Sequence, residues 1–342
     1  MKRLSLIILL ICIQPIASAQ DAQRSLDIYW IDVDGGAATL IVTPERESVL
    51  MDSGFDLPDD EHAKRVVAAM TDAGISSLDY YIASHFHGDH VGSILSLIQL
   101  VGIGEFIDHG ESVEQDTERG RPAWETYQAA LQLADRRNSS PVRPHDILPL
   151  RGVDLTIVSS NLEVPVTSLN PQGPNALCEG ADSGPEDTGE NARSVGYLLS
   201  FGEFDFLNLG DLTSRGQHAL ACPENLIGMV DVLQIPHHGN DLAPQLIWAL
   251  QATAAVSSNG ARKGGSPEGY EVVNASESIE GIWQSHRALN TDNEHNTEND
   301  MIANLTEEND AGHWIKASVQ PNATSYTITN SRNQFSKTYQ IK

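Results

Sequence analysis

Cysteine, aromatic residues and basic charge are all scarce in this 342-residue chain: three cysteines, 6% aromatics, and 21 Lys and Arg against 47 Asp and Glu. Three cysteines exclude a disulfide-built scaffold. The formal charge of −26 repels polyphosphate backbones at long range, so a stable nucleic-acid duplex is not an expected partner. No internal repeat, heptad pattern or phosphate-binding glycine loop is present, and no apolar run reaches the roughly 18–20 residues a membrane span needs. What is present is a hydrophobic fraction of 40% with 27 Gly and 16 Pro. That fraction excludes a wholly disordered chain, and the length can bury a substantial core.

The first residues have a separate logic. Lys2 and Arg3 precede the apolar run Leu4 to Ile13, and Ala17-Ser18-Ala19 follows it, the pattern of a secretory signal peptide over residues 1–19. The expected mature chain, residues 20–342, is secreted or periplasmic and has no membrane span. Loss of Lys2 and Arg3 leaves 19 basic residues against 47 acidic ones, a formal charge of −28. Cleavage also removes Cys12 and leaves Cys178 and Cys222, for which an oxidising compartment favours a disulfide. Neither has a Cys or His neighbour at zinc-site spacing.

Strand-like runs open the mature chain at Leu26–Val33, Ala37–Val42 and Ser48–Met51, separated by Asp34-Gly35-Gly36 and ended by Asp52-Ser53-Gly54. A helix from Pro58 is expected to stop at Gly74, followed by a buried strand Leu78–Ala83 and a helix Val91–Val101. An amphipathic helix Arg121–Arg137, a Pro-rich connector Pro141–Pro149 and a strand Val153–Ser159 come next. Asn161–Glu190 is a long loop without periodicity, which Cys178 could clamp. A hairpin Ser194–Phe201/Phe204–Leu209, a strand Val230–Ile235, a helix Pro244–Leu250 and a strand Ala254–Ser257 follow. The pattern then predicts a Gly-rich loop Asn259–Gly269, a helix Ala275–His286, an exposed acidic stretch Thr291–Asp310, and closing strands Ile315–Val319, Tyr326–Thr329 and Lys337–Ile341. Strands with interspersed helices, twice over, predict two packed sheets covered by helices in one domain, with a strand-rich extension over about 290–342.

The most specific signal is His85-x-His87-x-Asp89-His90 at the end of a predicted strand. Side chains alternate along an extended segment, so His85 and His87 project to one side and can share an ion. Asp89 and His90, where the chain turns into a helix, can serve a second ion. Asp211 and the pair His237-His238 each follow an apolar strand, and strand ends gather at one rim of a sheet. An aspartate there can bridge two ions and a histidine can complete the second. Imidazole with carboxylate suits Zn²⁺, with Mn²⁺ or Fe²⁺ as further options.

These residues resemble the metallo-β-lactamase superfamily of metal-dependent hydrolases over roughly Leu26 to Ala288. The opening Asp32-Val33-Asp34-Gly35-Gly36-Ala37-Ala38, the Leu50-Met51-Asp52-Ser53-Gly54 turn, Asn191-Ala192-Arg193-Ser194 and His237-His238-Gly239 are similar to the branch containing the extracellular hydrolase-like domain of competence (DNA-uptake) proteins. The resemblance implies an α+β, four-layer αββα sandwich, two divalent ions, most often zinc, and a bridging hydroxide. It implies Asp52 as a buried acid orienting the ligands. Many members have a third histidine for the first ion, where this chain reads Glu190-Asn191-Ala192-Arg193. Asn191 is the substitute expected there, and His109 is its rival.

The expected ligands are therefore His85, His87, Asp89, His90, Asn191, Asp211 and His238. Asp89, Asp211 and His237 are the candidates for chemistry, with His237 facing substrate oxygens and exchangeable with His238 on spacing alone. Arg262 or Lys263, basic in an acidic chain, could meet an anionic group. The expected activity is metal-assisted hydrolysis of phosphodiester or phosphoester bonds in a small anionic or envelope-derived substrate. The rival readings are a lactone or β-lactam hydrolase, an envelope-binding module without turnover, and an iron redox protein.

Overall fold

The computed structural model describes residues 24–135, 139–307 and 312–342; the signal-peptide segment lies outside them. Strands β1 (Leu26–Ile31), β2 (Thr39–Val42) and β3 (Ser48–Met51) form an antiparallel meander. Helix α1 (Glu61–Asp72) crosses to β4 (Ser77–Ile82), which pairs parallel with β3. Helices α2 (Gly88–Val91) and α3 (Ile94–Leu100) lead to β5 (Gly102–Asp108), and α4 (Arg121–Leu133) to β6 (Ser140–Pro141). The chain then builds a second sheet from β7 (Ile147–Leu148), β8 (Asp154–Ser159), β9 (Gly196–Phe201) and β10 (Phe204–Asn208). Helix α5 (Ser214–Ala221), β11 (Val232–Gln234), α6 (Pro244–Ala249), β12 (Ala254–Ser257), α7 (Pro267–Asn274), β13 (Gly281–His286) and β14 (Ile302–Asn304) complete it. Finally β15 (Trp314–Val319), β16 (Ser325–Asn330) and β17 (Ser336–Gln340) return to the first sheet, β15 pairing antiparallel with β1.

The two sheets, of nine and eight strands, pack face to face over a core that includes Trp30, Tyr197, Phe206, Val232 and Trp283. Leucine, valine and aromatic side chains under α1, α3 and α4 cover the outer face of one sheet, and those under α5, α6 and α7 cover the other. The result is the αββα sandwich expected of the resemblance. One polar group ties the sheets across the core: Gln234 Oε1 accepts from Trp30 Nε1 (3.0 Å), Thr39 Oγ1 (2.7 Å) and Asn208 Nδ2 (2.9 Å). A buried carbonyl oxygen taking that many donors fixes how one sheet sits on the other.

Cys178 and Cys222 form a disulfide closing a separation of 44 residues. The helix expected over Ala275–His286 is corrected: Gly281–His286 is a fully buried parallel strand, and the helix lies earlier, at Pro267–Asn274. Ser266 caps that helix by accepting from the Gly269 N–H, and Pro267 fills its first position. A strand covered on both faces has no alternation to betray it. The stretch Thr291–Asp310, expected to be exposed, holds the buried strand β14, and the helix expected over Val91–Val101 is α3 alone, separated from α2 by Gly92 and Ser93. The predicted Arg121–Arg137 helix ends at Leu133, and Arg136 and Arg137 lie outside the described residues. The Pro-rich connector carries β7, and α5 has no counterpart in the sequence reading.

Candidate metal centre

Three chain segments meet at the carboxyl ends of β4, β10 and β11. The first leaves β4 through Ser84. Asp52, buried and left-handed at φ 62°, accepts from the Ser84 N–H (2.8 Å) and Oγ (2.7 Å) and lies 2.8 Å from His90 Nδ1. With Nδ1–H directed at that carboxylate, the His90 Nε2 lone pair points inward. The second segment turns at Gly210 (φ 54°), where an added Cβ would stand 2.8 Å from the Ser84 Cβ. Only a glycine permits so close an approach, and it sets Asp211 beside the histidines. The third segment, Pro236–Gly239, is anchored by the His237 N–H to the Gly210 carbonyl (3.0 Å). Both His237 and His238 are left-handed (φ 50° and 53°), a strain of roughly 1–3 kcal/mol each that recurs at functional sites.

The outcome is a closed group of four. His90 Nε2 and His238 Nε2 are 3.2 Å apart. Asp211 Oδ2 lies 3.2 Å from each and Asp89 Oδ2 3.4 Å from each. His238 Nδ1 is 2.9 Å from the Ser258 carbonyl, so its proton sits there and Nε2 offers a lone pair. Among the described residues this is the only set of three or more His, Cys, Asp or Glu side chains whose ligand atoms all lie within 4.8 Å of one another. Burial penalises charge on Asp211, but His238 and His90 outweigh it and hold its carboxyl well below the usual range. Burial likewise opposes charging of His90, yet Asp211, Asp89 and Asp52 raise its pKa well above the ordinary value, so that Nε2 holds a proton until a metal ion displaces it and takes the lone pair. Two inward lone pairs flanked by two carboxylates call for a cation, and the donor set fits a divalent ion.

The other half is more open. His85, fully buried, has Nε2 3.0 Å from His87 Nδ1 and 4.0 Å from Asp211 Oδ2. Asn191 Nδ2 lies 3.0 Å from His237 Nε2, which is itself 4.0 Å from Asp211 Oδ2. Burial lowers the pKa of His85 strongly, as do His90 and His87, and burial lowers that of His237; both are neutral imidazoles. Three buried atoms without a hydrogen-bond partner belong to these side chains: His87 Nε2, Asn191 Oδ1 and His237 Nδ1. His87 Nε2 stands 3.4 Å from Glu114 Oε2 without alignment for a hydrogen bond. His85 Nε2 and His237 Nε2, each 4.0 Å from a carboxylate that faces both halves, also fit a bound cation. The structure thus places every sequence-predicted ligand at this rim, Asp89, His90, Asp211 and His238 tightly and His85, His87 and Asn191 more loosely.

His109, the rival to Asn191, is engaged elsewhere. Its Nε2 lies 2.8 Å from Glu190 Oε1, and that buried carboxylate also accepts from the Phe86 N–H (3.1 Å), Ser112 Oγ (3.0 Å) and the Val113 N–H (3.1 Å). Phe86 separates His85 from His87 and Glu190 precedes Asn191, so one side chain fixes both approaches to the open half. Glu190 and Glu114 escaped the sequence reading because a glutamate in a polar loop carries no local signature. Arg262 is paired at the surface with Glu307, whereas Lys263 reaches Asp89.

Residues 31–183 match the family model described as the metallo-β-lactamase superfamily. No curated protein matches the chain in sequence. Among solved structures, a motif mutant of the Cronobacter sakazakii metallo-β-lactamase is 13% identical, with 58% of this chain and 70% of that one covered and a TM-score of 0.37. A subclass B3 metallo-β-lactamase, MEM-A1, from a soil metagenome library is 15% identical, with coverage of 64% and 80% and a TM-score of 0.40. The metallo-β-lactamase fold protein YhfI from Bacillus subtilis is 10% identical, with coverage of 76% and 96% and a TM-score of 0.46. The family-model match thus covers Ile31 to Ser183, and the two sheets with their covering helices have the metallo-β-lactamase fold.

Proposed function

We propose that this protein is a secreted or periplasmic metal-dependent hydrolase acting on phosphodiester or phosphoester bonds. The observation that carries the reading is the convergence of His90 Nε2, His238 Nε2, Asp89 Oδ2 and Asp211 Oδ2, all within 4.8 Å of one another. We assign Asp89, His90, Asp211 and His238 to one divalent ion. His85, His87, Asn191 and the shared Asp211 are assigned to a second, with zinc as the first candidate and manganese as the next. Such ions supply Lewis acidity and a water acidic enough to ionise near neutral pH.

The chain's own residues do the rest. Asp52 and the Ser258 carbonyl hold the tautomers of His90 and His238 with Nε2 inward. His237 is neutral through burial and has no partner at Nδ1, so it is able to take up a proton first and then pass it to a departing oxygen. The phosphoester reading and the kinship to the competence-protein branch rest on the motif residues. A lactone or β-lactam hydrolase shares the same ligand set.

For the compartment, the support is the Cys178–Cys222 disulfide, together with the finding that no helix among the described residues is long and apolar enough to cross a membrane. Elemental analysis of protein purified without chelator tests the proposal. About two ions per chain, with turnover of a phosphodiester in preference to a lactone or lactam, is the expected result. No metal after dialysis against zinc or manganese overturns it and leaves a binding module; metal with lactone or lactam turnover alone overturns the bond class.

A further inference from the structure

Lys263 is the one lysine or arginine, among the described residues, ion-paired with any of these ligands. Its Nζ donates to Asp89 Oδ2 and to the Gly35 carbonyl (2.7 Å). Nothing about this placement is loose. The Gly260 N–H donates to the Lys263 carbonyl (2.9 Å) and the Gly265 N–H to the His238 carbonyl (2.8 Å), so the loop is sewn to the same segment that presents His238. On the other side, Gly35 (φ 86°) packs so closely that an added Cβ would meet the Lys263 Cβ at 2.8 Å. The turn bearing Gly35 is itself fixed, with Asp34 2.9 Å from His62 Nε2 and the Ala37 N–H donating to the Asp89 carbonyl (3.1 Å).

Yet the lysine side chain is 41% exposed. Its ammonium also stands 5.9 Å from the centroid of the Phe55 ring. It therefore borders both the ligand cluster and solvent.

Two electrostatic facts follow. A chain of charge −26 repels anions at a distance, so an anionic substrate needs a local cation to be held. A carboxylate shared between a divalent ion and an ammonium neutralises neither fully, and the two cations repel across it. An anionic group arriving at the ion relieves that repulsion, and a neutral one does not. Resting on the hydrolase reading above, we propose that Lys263 is the specificity-determining residue of this site, selecting substrates that carry an anionic phosphoryl oxygen beside the scissile bond. Arg262, its exposed neighbour, is held by Glu307 through two contacts (2.8 and 3.0 Å) and takes no part.

The test compares wild type, Lys263→Gln, Lys263→Arg and Arg262→Gln, each loaded with zinc. Metal content and the binding of inorganic phosphate by equilibrium dialysis are measured first, because neither needs turnover. Lys263→Gln is expected to weaken phosphate binding about tenfold, the scale of one charge-assisted hydrogen bond, with metal content as in wild type. Lys263→Arg should recover most of the loss and Arg262→Gln should show none. Turnover then adds a second readout: the ratio of kcat/KM for an anionic aryl phosphodiester to that for a neutral aryl phosphotriester falls about tenfold in Lys263→Gln. Unchanged phosphate binding, or equal loss on both esters, overturns the proposal and leaves the hydrolase reading standing. Loss of zinc from Lys263→Gln overturns it in favour of a lysine that positions Asp89. A wild type that holds no metal overturns the hydrolase reading, and the selectivity proposal falls with it.

Discussion

Strands β10 and β11 lie side by side, and their two ends treat buried aspartates in opposite ways. At the carboxyl end, Asp211 is surrounded by imidazoles, and His238 and His90 hold its carboxyl far below the usual range despite burial. At the amino end, the Asp231 carboxylate accepts from the backbone N–H of Asp205 (3.0 Å) and Lys342 (3.3 Å) and has no imidazole partner among the described residues, and burial pushes its pKa up to about 6. Both are nearly inaccessible to solvent. A buried acid at a sheet edge is therefore not in itself a site. Convergent ring nitrogens with their lone pairs turned inward make the difference, and the outer partners Asp52 and Ser258 do the turning.

The sharpest way to break the comparison is Asp211→Ala. Asp211 faces both halves of the centre, so its loss should remove most bound metal and several kcal/mol of transition-state stabilisation, on the order of 10³-fold in turnover. Asp231→Ala should leave metal content as it is. Equal behaviour of the two variants, in elemental analysis and phosphodiesterase assays, would dissolve the distinction. The disulfide separates stability from chemistry along the same axis. It staples the long loop near the amino end, where the Leu169 N–H also donates to the Leu226 carbonyl, while that loop's far end delivers Asn191 to the carboxyl rim. Replacing Cys178 and Cys222 by serine should cost roughly 4 kcal/mol in the chain-entropy account. Urea unfolding reads that loss, and the zinc content of the folded fraction should not change.

A smaller effect is expected from Glu190→Gln, which turns one of the two oxygens that accept from Phe86 and His109 or from Ser112 and Val113 into an amide nitrogen. Orienting residues behind metal ligands are worth about 10–100-fold in affinity, here concentrated on the His85, His87 and Asn191 half. Competition with a chromophoric zinc chelator would show the weaker of two binding steps shifting and the tighter one holding. A uniform weakening of both steps would mean that Glu190 supports the whole rim.

The sequence made the tight half of this centre legible and left much of its support hidden. The run from His85 to His90 is local, and its spacing alone carries the ligand pattern. Asp211 and the pair His237-His238 were legible because each follows an apolar strand, and strand ends share a rim; which of the two histidines faces Asp89 was not. Glu190 was not, since its partner Phe86 is 104 residues away, and for Lys263 the sequence offered an anion-facing role shared with Arg262 but not the contact with Asp89, 174 residues away. The same limit explains the fold errors. A strand such as Gly281–His286, buried on both faces, imitates an apolar helix when only local periodicity is read. The helix Pro267–Asn274 hid behind the glycines before it, although Ser266-Pro267 was a start signal within the chain.

The amino end supplies the smallest effect and a direct check on its sign. The carboxyl of Asp231 titrates at about 6 in the fold and near 3.9 in an unfolded chain. Between those values the folded state binds the extra proton, so this residue makes stability fall as pH rises from about 4 to 6, with its cost fully present above that window and absent below it. A carboxamide cannot ionise, so Asp231→Asn should match wild type near pH 4 and exceed it above pH 6. The gain should be on the order of 1–2 kcal/mol once screening at the chain's end is allowed for. Urea midpoints at pH 4, 5, 6 and 7 measure the difference. A gap that widens toward acid would mean that the charged form of Asp231 is the stabilised one, as at Asp211, and that the two ends of these strands are governed by the same electrostatics after all.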